Sequence, residues 1–268
     1  MIRPHVLSSF ANTFAPLGFR DISFVPSYGL AEATLAVSFA ALQTGVLTDE
    51  VDLDRLEQDR VAAPPESESD RVREFVICGP PLPGTALEIR DAAGAVLPDR
   101  HVGRVVIRGP SLMRGYDGGA MQSGTVLSED GWLDTGDLGY LLDGQLVIAG
   151  RAKEMIIVNG RNLWPQDLEW SVDQATTHVR SGGAAVFSTD KSGDEKVVLL
   201  LEARGVPDGQ ERANFIGEVA GLLRERHGVE VDVVLVPPGS LPRTSSGKLR
   251  RSEARDRYNK GVFSATSP

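Results

Sequence analysis

Four short stretches hold the residue types best suited to chemistry. Tyr28-Gly29-Leu30-Ala31-Glu32 combines a flat aromatic face for a base or ring, a glycine that allows close backbone approach, and a carboxylate able to hold a hydrated magnesium ion. Asp130–Gly139, read DGWLDTGDLG, sets glycines and carboxylates around Trp132, and an aspartate on such a rigid acidic turn can accept both hydroxyls of a ribose. Gly150-Arg151-Ala152-Lys153-Glu154 is a polar knot, a poor way to fill a core and a good way to present cations to an anion or to hinge two bodies. Arg151, fourteen residues after Asp137, could return to the same ligand. Leu241–Lys248, read LPRTSSGK, is a loop of small hydroxyls and a glycine that ends in a lysine, a point charge able to follow negative charge developing on a phosphate or carboxylate. It is not a phosphate-binding P-loop, which needs GxxxxGK[ST] after a strand, whereas Leu249 follows the lysine here. Three of the stretches have an ordinary reading when taken alone: a capped strand-to-helix turn for the first, a β-turn cluster for the second and a solvated basic loop for the last.

The elements that must position these residues can be read from periodicity. Val6, Leu7, Phe10, Phe14 and Leu17 fall at helical spacing, Gly18 ends that helix, and Ile22–Val25 follows as a short strand. This pair reads as the last αβ unit of a doubly wound sheet, placing Ser27–Gly29 past the carboxyl end of a strand, where such sheets hold ligands. Leu35–Val46 is apolar and fits either a helix or a strand. Thr48–Arg73 is acidic, with PPESESD at its centre, and predicts an exposed loop or insertion. From Phe75 the texture is all-β: Phe75–Cys78, Ala86–Arg90, Val102–Arg108 and Gly144–Ala149 are β-prone, with turns at Gly79-Pro80-Pro81, Asp91–Gly94, Gly109-Pro110, Gly118-Gly119 and Asp143-Gly144. A small distorted barrel or sandwich is expected to about residue 150. Leu146–Ala149 and Met155–Val158 flank the polar knot and predict a β-hairpin.

Beyond the knot the pattern turns α+β. Pro165–Thr176, Gly209–His227 and Ser246–Tyr258 predict helices. Ala184–Ser188, Val197–Ala203 and Val231–Val236 predict strands, the first two separated by a charged turn at Asp190–Lys196. The chain has 268 residues, about two-fifths of them hydrophobic, and a formal charge of −9, which argues against a nucleic-acid binder without excluding a nucleotide. A single cysteine, Cys78, rules out an intramolecular disulfide. No apolar run approaches the roughly 18 residues of a membrane span. The start, MIRPHVLSSF, lacks a signal peptide's apolar segment, so a cytoplasmic address is expected.

Order and spacing make the motifs specific together. YGLAE, GWLDTGDLG, GRAKE and LPRTSSGK, in that order and over nearly the whole chain, resemble the adenylate-forming superfamily of acyl ligases, luciferases and peptide-synthetase adenylation domains. Within it, PSYGLAEATLAVS (Pro26–Ser38) and IIVNGRNLWPQDLEW (Ile156–Trp170) are most similar to fatty acyl-AMP ligases. Acyl-CoA ligases usually carry a threonine before the motif glutamate and a KGY- or KGF-like turn, where this chain has Ala31 and Asn159-Gly160-Arg161-Asn162. The resemblance implies an α/β part, a β-barrel and an α+β lid. Residues 1–40 would close the large-domain α/β subdomain, 41–74 would be the acidic insertion that restrains the lid and disfavours CoA, 75–151 the barrel, and 152–268 the mobile lid.

The resemblance also implies roles. Tyr28 would stack on the adenine and Gly29 would belong to the same nucleotide site, Glu32 would position Mg2+, Asp137 would bind the ribose hydroxyls with Arg151 assisting, and Lys248 would bridge carboxylate and α-phosphate oxygens. Lys153 would be the hinge. ATP and Mg2+ would be the cofactors, a fatty acid the substrate, and an acyl carrier protein or polyketide synthase the acceptor. The superfamily's TSGSTG-type phosphate loop is absent from the sequence. The expectation is therefore a fragment, or a split ligase completed by a separate N-terminal half, inactive alone. A non-catalytic module that docks a carrier protein and a piece of an acyl-CoA ligase are the alternatives.

Overall fold

The computed structural model describes residues 1–68, 70–116, 127–176, 178–190, 196–205 and 209–263. Two compact units divide the chain, Met1–Lys153 and Glu154–Pro268, and their boundary falls inside the polar knot.

In the first unit Pro4 opens helix α1 (Pro4–Phe14), a position where its missing N–H costs nothing. A 3-10 turn, Ala15–Leu17, extends it to Gly18. The rings of Phe10, Phe14, Phe19 and Phe24 cluster behind it, with centroids 4.5 to 6.0 Å apart. The predicted strand at Ile22–Val25 does not form, and Asp21–Ser23 is a 3-10 turn instead. A strand needs a neighbour for its N–H and C=O groups, and no described strand pairs with this segment.

Strands β1 (Ser27–Gly29) and β2 (Ala36–Phe39) make an antiparallel hairpin, resolving the ambiguity of Leu35–Val46 in favour of a strand. The acidic stretch differs from the predicted loop. It carries β3 (Thr48–Asp52), α2 (Leu53–Asp59) and β4 (Val72–Val76), with β3 and β4 antiparallel. Its acidic composition conceals Val51, Leu53, Leu56 and Ala62, all buried. Asp52 caps α2 by accepting from the N–H groups of Asp54 and Arg55. Asp49 accepts from the Tyr140 hydroxyl at 2.7 Å and pairs with Arg100 at 3.0 Å. The centre of the stretch, residues 64–68, keeps loop form.

Strands β5 (Ala86–Arg90), β6 (Gly103–Arg108), β7 (Leu133–Leu142) and β8 (Gln145–Arg151) follow as an antiparallel meander. The free edge of β8 is taken by residues 77–79: Cys78 N–H donates to the Leu146 carbonyl at 2.8 Å, and Leu146 N–H to the Gly79 carbonyl at 2.9 Å. Ile89, Val105, Ile107, Leu133 and Leu146 form the core with Ala33 and Val37, and Tyr28 and Leu30 pack on its rim. The turn expected at Gly118-Gly119 lies outside the described residues.

The second unit opens with β9 (Ile156–Val158) and β10 (Arg161–Leu163), paired antiparallel. Asn159 and Gly160 link them with φ of 51° and 78°, the two left-handed residues a tight hairpin requires. The hairpin predicted across Leu146–Val158 is thereby corrected. Both edges of β8 are occupied within the first unit, β9 pairs with β10, and Ala152–Glu154 is a 3-10 turn. Two apolar runs close in sequence mimicked a hairpin whose partners lie elsewhere.

Helix α3 (Pro165–Ala175), β11 (Val179–Thr189), β12 (Lys196–Ala203), α4 (Gln210–His227), β13 (Val231–Val236) and α5 (Arg251–Asn259) complete the unit. β12 is central, antiparallel to β11 and parallel to β13. Its Val197, Leu199 and Leu201 face a core with Leu168, Val172, Val219 and Leu223, from α3 and α4. Val198 and Leu200 face the opposite core with Leu241, Ala254 and Phe263. A continuous hydrophobic run with two-residue alternation is what a strand buried on both faces requires. Residues 191–195 of the turn expected at Asp190–Lys196 are outside the described residues.

Candidate active site

Asp137 is the focus of the first unit. It is buried on β7, opposite Arg151 on β8 in register. The Arg151 guanidinium lies 2.8 Å from its Oδ1, and the Tyr28 hydroxyl donates to its Oδ2 at 2.6 Å. Its own N–H donates to the Thr135 hydroxyl at 3.1 Å, and Thr135 donates to the Val105 carbonyl at 2.8 Å, which ties this segment to β6; most of the stretch read as a turn, from Leu133 on, is strand β7. Arg151 is more than half exposed. Burial, and after it the Asp137 carboxylate, push the Tyr28 phenol far above its usual range, so it stays a donor. Three of the sequence motifs thus meet at one carboxylate.

Tyr28 reaches Asp137 because the β1–β2 hairpin is tightly closed. A Cβ on Gly29 would lie 1.8 Å from the Leu35 carbonyl oxygen. The close approach expected of this glycine is made by the chain's own backbone. The closing turn centres on Thr34, with φ 67° and ψ −57° and a Leu35 N–H to Ala33 carbonyl bond of 2.7 Å. This is the rare γ-turn, a strained conformation for a β-branched residue. The Thr34 hydroxyl holds it by donating to the Ser111 carbonyl at 3.0 Å.

Glu32 lies on the same excursion, half-buried, with Oε1 accepting from the Tyr116 hydroxyl at 2.8 Å. No cluster of three or more His, Cys, Asp or Glu occurs among the described residues. A magnesium ion bound through phosphates and water needs only one or two carboxylates, and Glu32 fits that mode.

Lys248 belongs to the second unit. It is exposed, and among the described residues its ammonium has no ion-pair partner, while its loop is closely tied. Thr244 donates its N–H to the Lys248 carbonyl at 2.8 Å, receives the Gly247 N–H at 2.9 Å, and accepts the Lys248 N–H on its hydroxyl at 3.0 Å. Arg243 donates to the carbonyls of Gly182 and Gly247. Arg250 N–H closes the loop on the Pro242 carbonyl at 2.9 Å. These bonds use the backbone groups a helix start at Ser246 would have needed, so α5 begins at Arg251 rather than Ser246. Lys153 is exposed in the 3-10 turn at the unit boundary.

Two groups of residues escaped the sequence reading. The first is a set of arginines: Arg90 and Arg108 hold their guanidinium groups over the ring of the buried Trp132, at 4.4 and 4.8 Å, and Arg104 pairs with Asp134 at 2.6 Å. The turn read as acidic is therefore lined with arginines. In the second unit, the buried Glu169 is paired with Arg251, whose side chain is 14% exposed. A glutamate on the apolar stripe Pro165, Leu168, Val172 of α3 was the available signal.

Comparison with known proteins follows the same lines. Residues 1–117 match the model of AMP-binding enzymes, and residues 153–267 match the AMP domain of Disco-interacting protein 2-like proteins. A putative acyl-CoA synthetase of Caulobacter vibrioides is 49% identical over 263 residues, covering 98% of this chain and 46% of that protein. A medium-chain-fatty-acid–[acyl-carrier-protein] ligase of Moorena producens is 36% identical over 279 residues, covering 98% of this chain and 46% of that protein. A solved structure from work on fatty acyl-adenylate ligases of E. coli and L. pneumophila superposes with a TM-score of 0.90 at 43% identity, over 99% of this chain and 46% of that one. The chain spans about half the length of the curated relatives it matches.

Proposed function

The chain belongs to the adenylate-forming superfamily of AMP-binding enzymes, as a C-terminal portion of that fold, and from that premise we propose that it is part of a fatty acyl-AMP ligase. The whole enzyme activates a fatty acid to its acyl-adenylate and passes the acyl group to an acyl carrier protein. The observation that carries this reading is the convergence of Tyr28 and Arg151 on the buried Asp137. The naming of the Moorena relative as an acyl-carrier-protein ligase, and the Asn159-Gly160 turn in place of a KGY- or KGF-like one, support the carrier over CoA.

In the proposed reaction a carboxylate oxygen attacks the α-phosphorus of ATP and the bond to the bridging oxygen breaks, releasing pyrophosphate. Asp137 accepts from the ribose hydroxyls, a role for which a buried carboxylate between fixed donors is already oriented. Arg151 holds Asp137 in place through their 2.8 Å ion pair. The Tyr28 ring offers a stacking face while its hydroxyl holds the same carboxylate. Lys248, whose ammonium has no ion-pair partner among the described residues, supplies a point charge to oxygens that become more negative during transfer. Glu32 would hold magnesium, which when bound neutralises phosphate charge. Lys153 is the proposed pivot.

ATP–pyrophosphate exchange with a fatty acid tests this, run on the chain alone and with an N-terminal half that supplies the phosphate loop. Lys248→Ala is expected to lower exchange by orders of magnitude and to move the melting temperature by only a few degrees. No exchange in either form of the wild type overturns the ligase reading and favours a non-catalytic carrier-docking module. Transfer to CoA in preference to a carrier protein overturns the acceptor assignment.

A further inference from the structure

Three residues after Lys248, the first residue of α5 is pinned at an unusual junction. Arg251 donates from Nε to Glu169 Oε1 at 2.8 Å and from Nη2 to Glu169 Oε2 at 2.7 Å, a two-pronged fork. Its remaining nitrogen, Nη1, donates to Glu154 Oε2 at 2.6 Å. Glu169 Oε1 also accepts the Val186 N–H at 3.0 Å, and Gln166 Nε2 donates to Glu154 Oε2 at 3.2 Å. One guanidinium therefore joins α5, α3, β11 and the 3-10 turn at the unit boundary. Burial pushes the Glu169 carboxyl up against the pull of Arg251. Burial opposes charge on Arg251 as well, but Glu169 and Glu154 outweigh it and raise its pKa.

Stability alone does not call for this arrangement, because apolar residues of similar volume usually serve a core as well as a buried ion pair does. What the junction offers is geometry. Three residues of chain span at most ~11 Å, so fixing Arg251 restricts where Lys248 can go. Glu154 directly follows Lys153 and is the first residue of the second unit.

We propose that Arg251 and Glu154 are positioning residues for Lys248: their ion pair fastens the lysine loop to the boundary turn, so that rotation of that turn is transmitted to the lysine. Glu169 holds the guanidinium in the core, and Glu154 is the arm that carries the coupling. This rests on the reading of Lys248 as the catalytic cation, but the fastening itself can be measured without catalysis.

The test is hydrogen–deuterium exchange on the full chain at the loop amides of Thr244, Gly247, Lys248 and Arg250, each of which has a carbonyl or hydroxyl partner. Arg251→Met risks misfolding, so the variant is Glu154→Gln, which keeps the size and the Gln166 contact. Loss of a charge-assisted bond is expected to speed loop exchange about tenfold, with α3 and β11–β13 unchanged and with Glu154→Asp restoring most of the protection. Unaltered loop exchange, or equal loosening of the whole unit by both variants, overturns the proposal. If the loop loosens as expected while the wild type shows no pyrophosphate exchange with its N-terminal half, the ligase reading fails and the fastening stands.

Discussion

Glu169→Gln is the sharpest probe of the second unit. The wild-type carboxylate is 5% exposed and takes two bonds from Arg251 and one from the Val186 N–H. Glutamine keeps the Val186 contact through its carbonyl oxygen but turns an N–H2 group towards a guanidinium. Breaking a buried pair from one side costs about 3–5 kcal/mol. Arg251 retains Glu154 at 2.6 Å, so the lower end applies, about 3 kcal/mol. For a unit running from Glu154 to Pro268, each kcal/mol corresponds to roughly 3–6 °C, which predicts a fall of about 9–18 °C. Differential scanning calorimetry reads this, with Glu230→Gln as the control. Glu230 meets Arg224 at 3.4 Å with both side chains more than 60% exposed, and such pairs contribute little. A fall of less than about 3 °C for Glu169→Gln would refute the reasoning, since it would mean that the guanidinium is not committed to this carboxylate. Replacing both partners, as Glu169→Leu with Arg251→Met, should recover most of the loss, because no buried charge remains.

Two predictions concern the first unit. Burial raises the Cys78 thiol to about 11, whereas the unfolded chain releases that proton near pH 8.5–9. The folded state therefore binds more protons between those values, so the contribution is intact below about pH 8.5 and is lost as pH rises towards 11. Denaturant titrations of wild type and Cys78→Ala across pH 8–11 should diverge by up to about 2–3 kcal/mol, and parallel curves would count against the burial argument. Gly29→Ala should destabilise the first unit by more than about 3 kcal/mol, because its methyl group meets backbone, not a movable side chain. On the nucleotide role proposed for Tyr28, displacing it should also weaken AMP binding, and thermal melts with an AMP titration read both effects.

The second unit was the more legible in sequence, and the reason is physical. Val197–Ala203 and Val231–Val236 are continuous apolar runs that only a two-sided burial can satisfy, and the structure places them side by side as β12 and β13. The motif residues Tyr28, Asp137 and Arg151 were legible as types, but their meeting depends on a β7–β8 register and a γ-turn at Thr34 that no local preference announces. The misreadings share a cause. Sequence proximity suggested a hairpin across Leu146–Val158 and a strand at Ile22–Val25, whereas strand pairing depends on which edges remain free. Composition suggested a loop at Thr48–Arg73 because acidic residues outnumbered the few apolar ones that anchor it. Glu169 and Arg251 were hidden because a lone charge on an apolar stripe does not name its partner.

The position of Glu154 has a consequence for recombining this chain with its relatives. The two units have separate hydrophobic cores, so a crossover near residue 153 looks neutral when judged by contacts alone. Yet Glu154 belongs by its bonds to α5, nearly a hundred residues later. A chimera joined at Lys153 carries the donor's own acid–guanidinium match across the seam. One joined only three residues later, at Ile156, pairs one lineage's acid with another's arginine, and inherits the lysine loop without the tether that came with it.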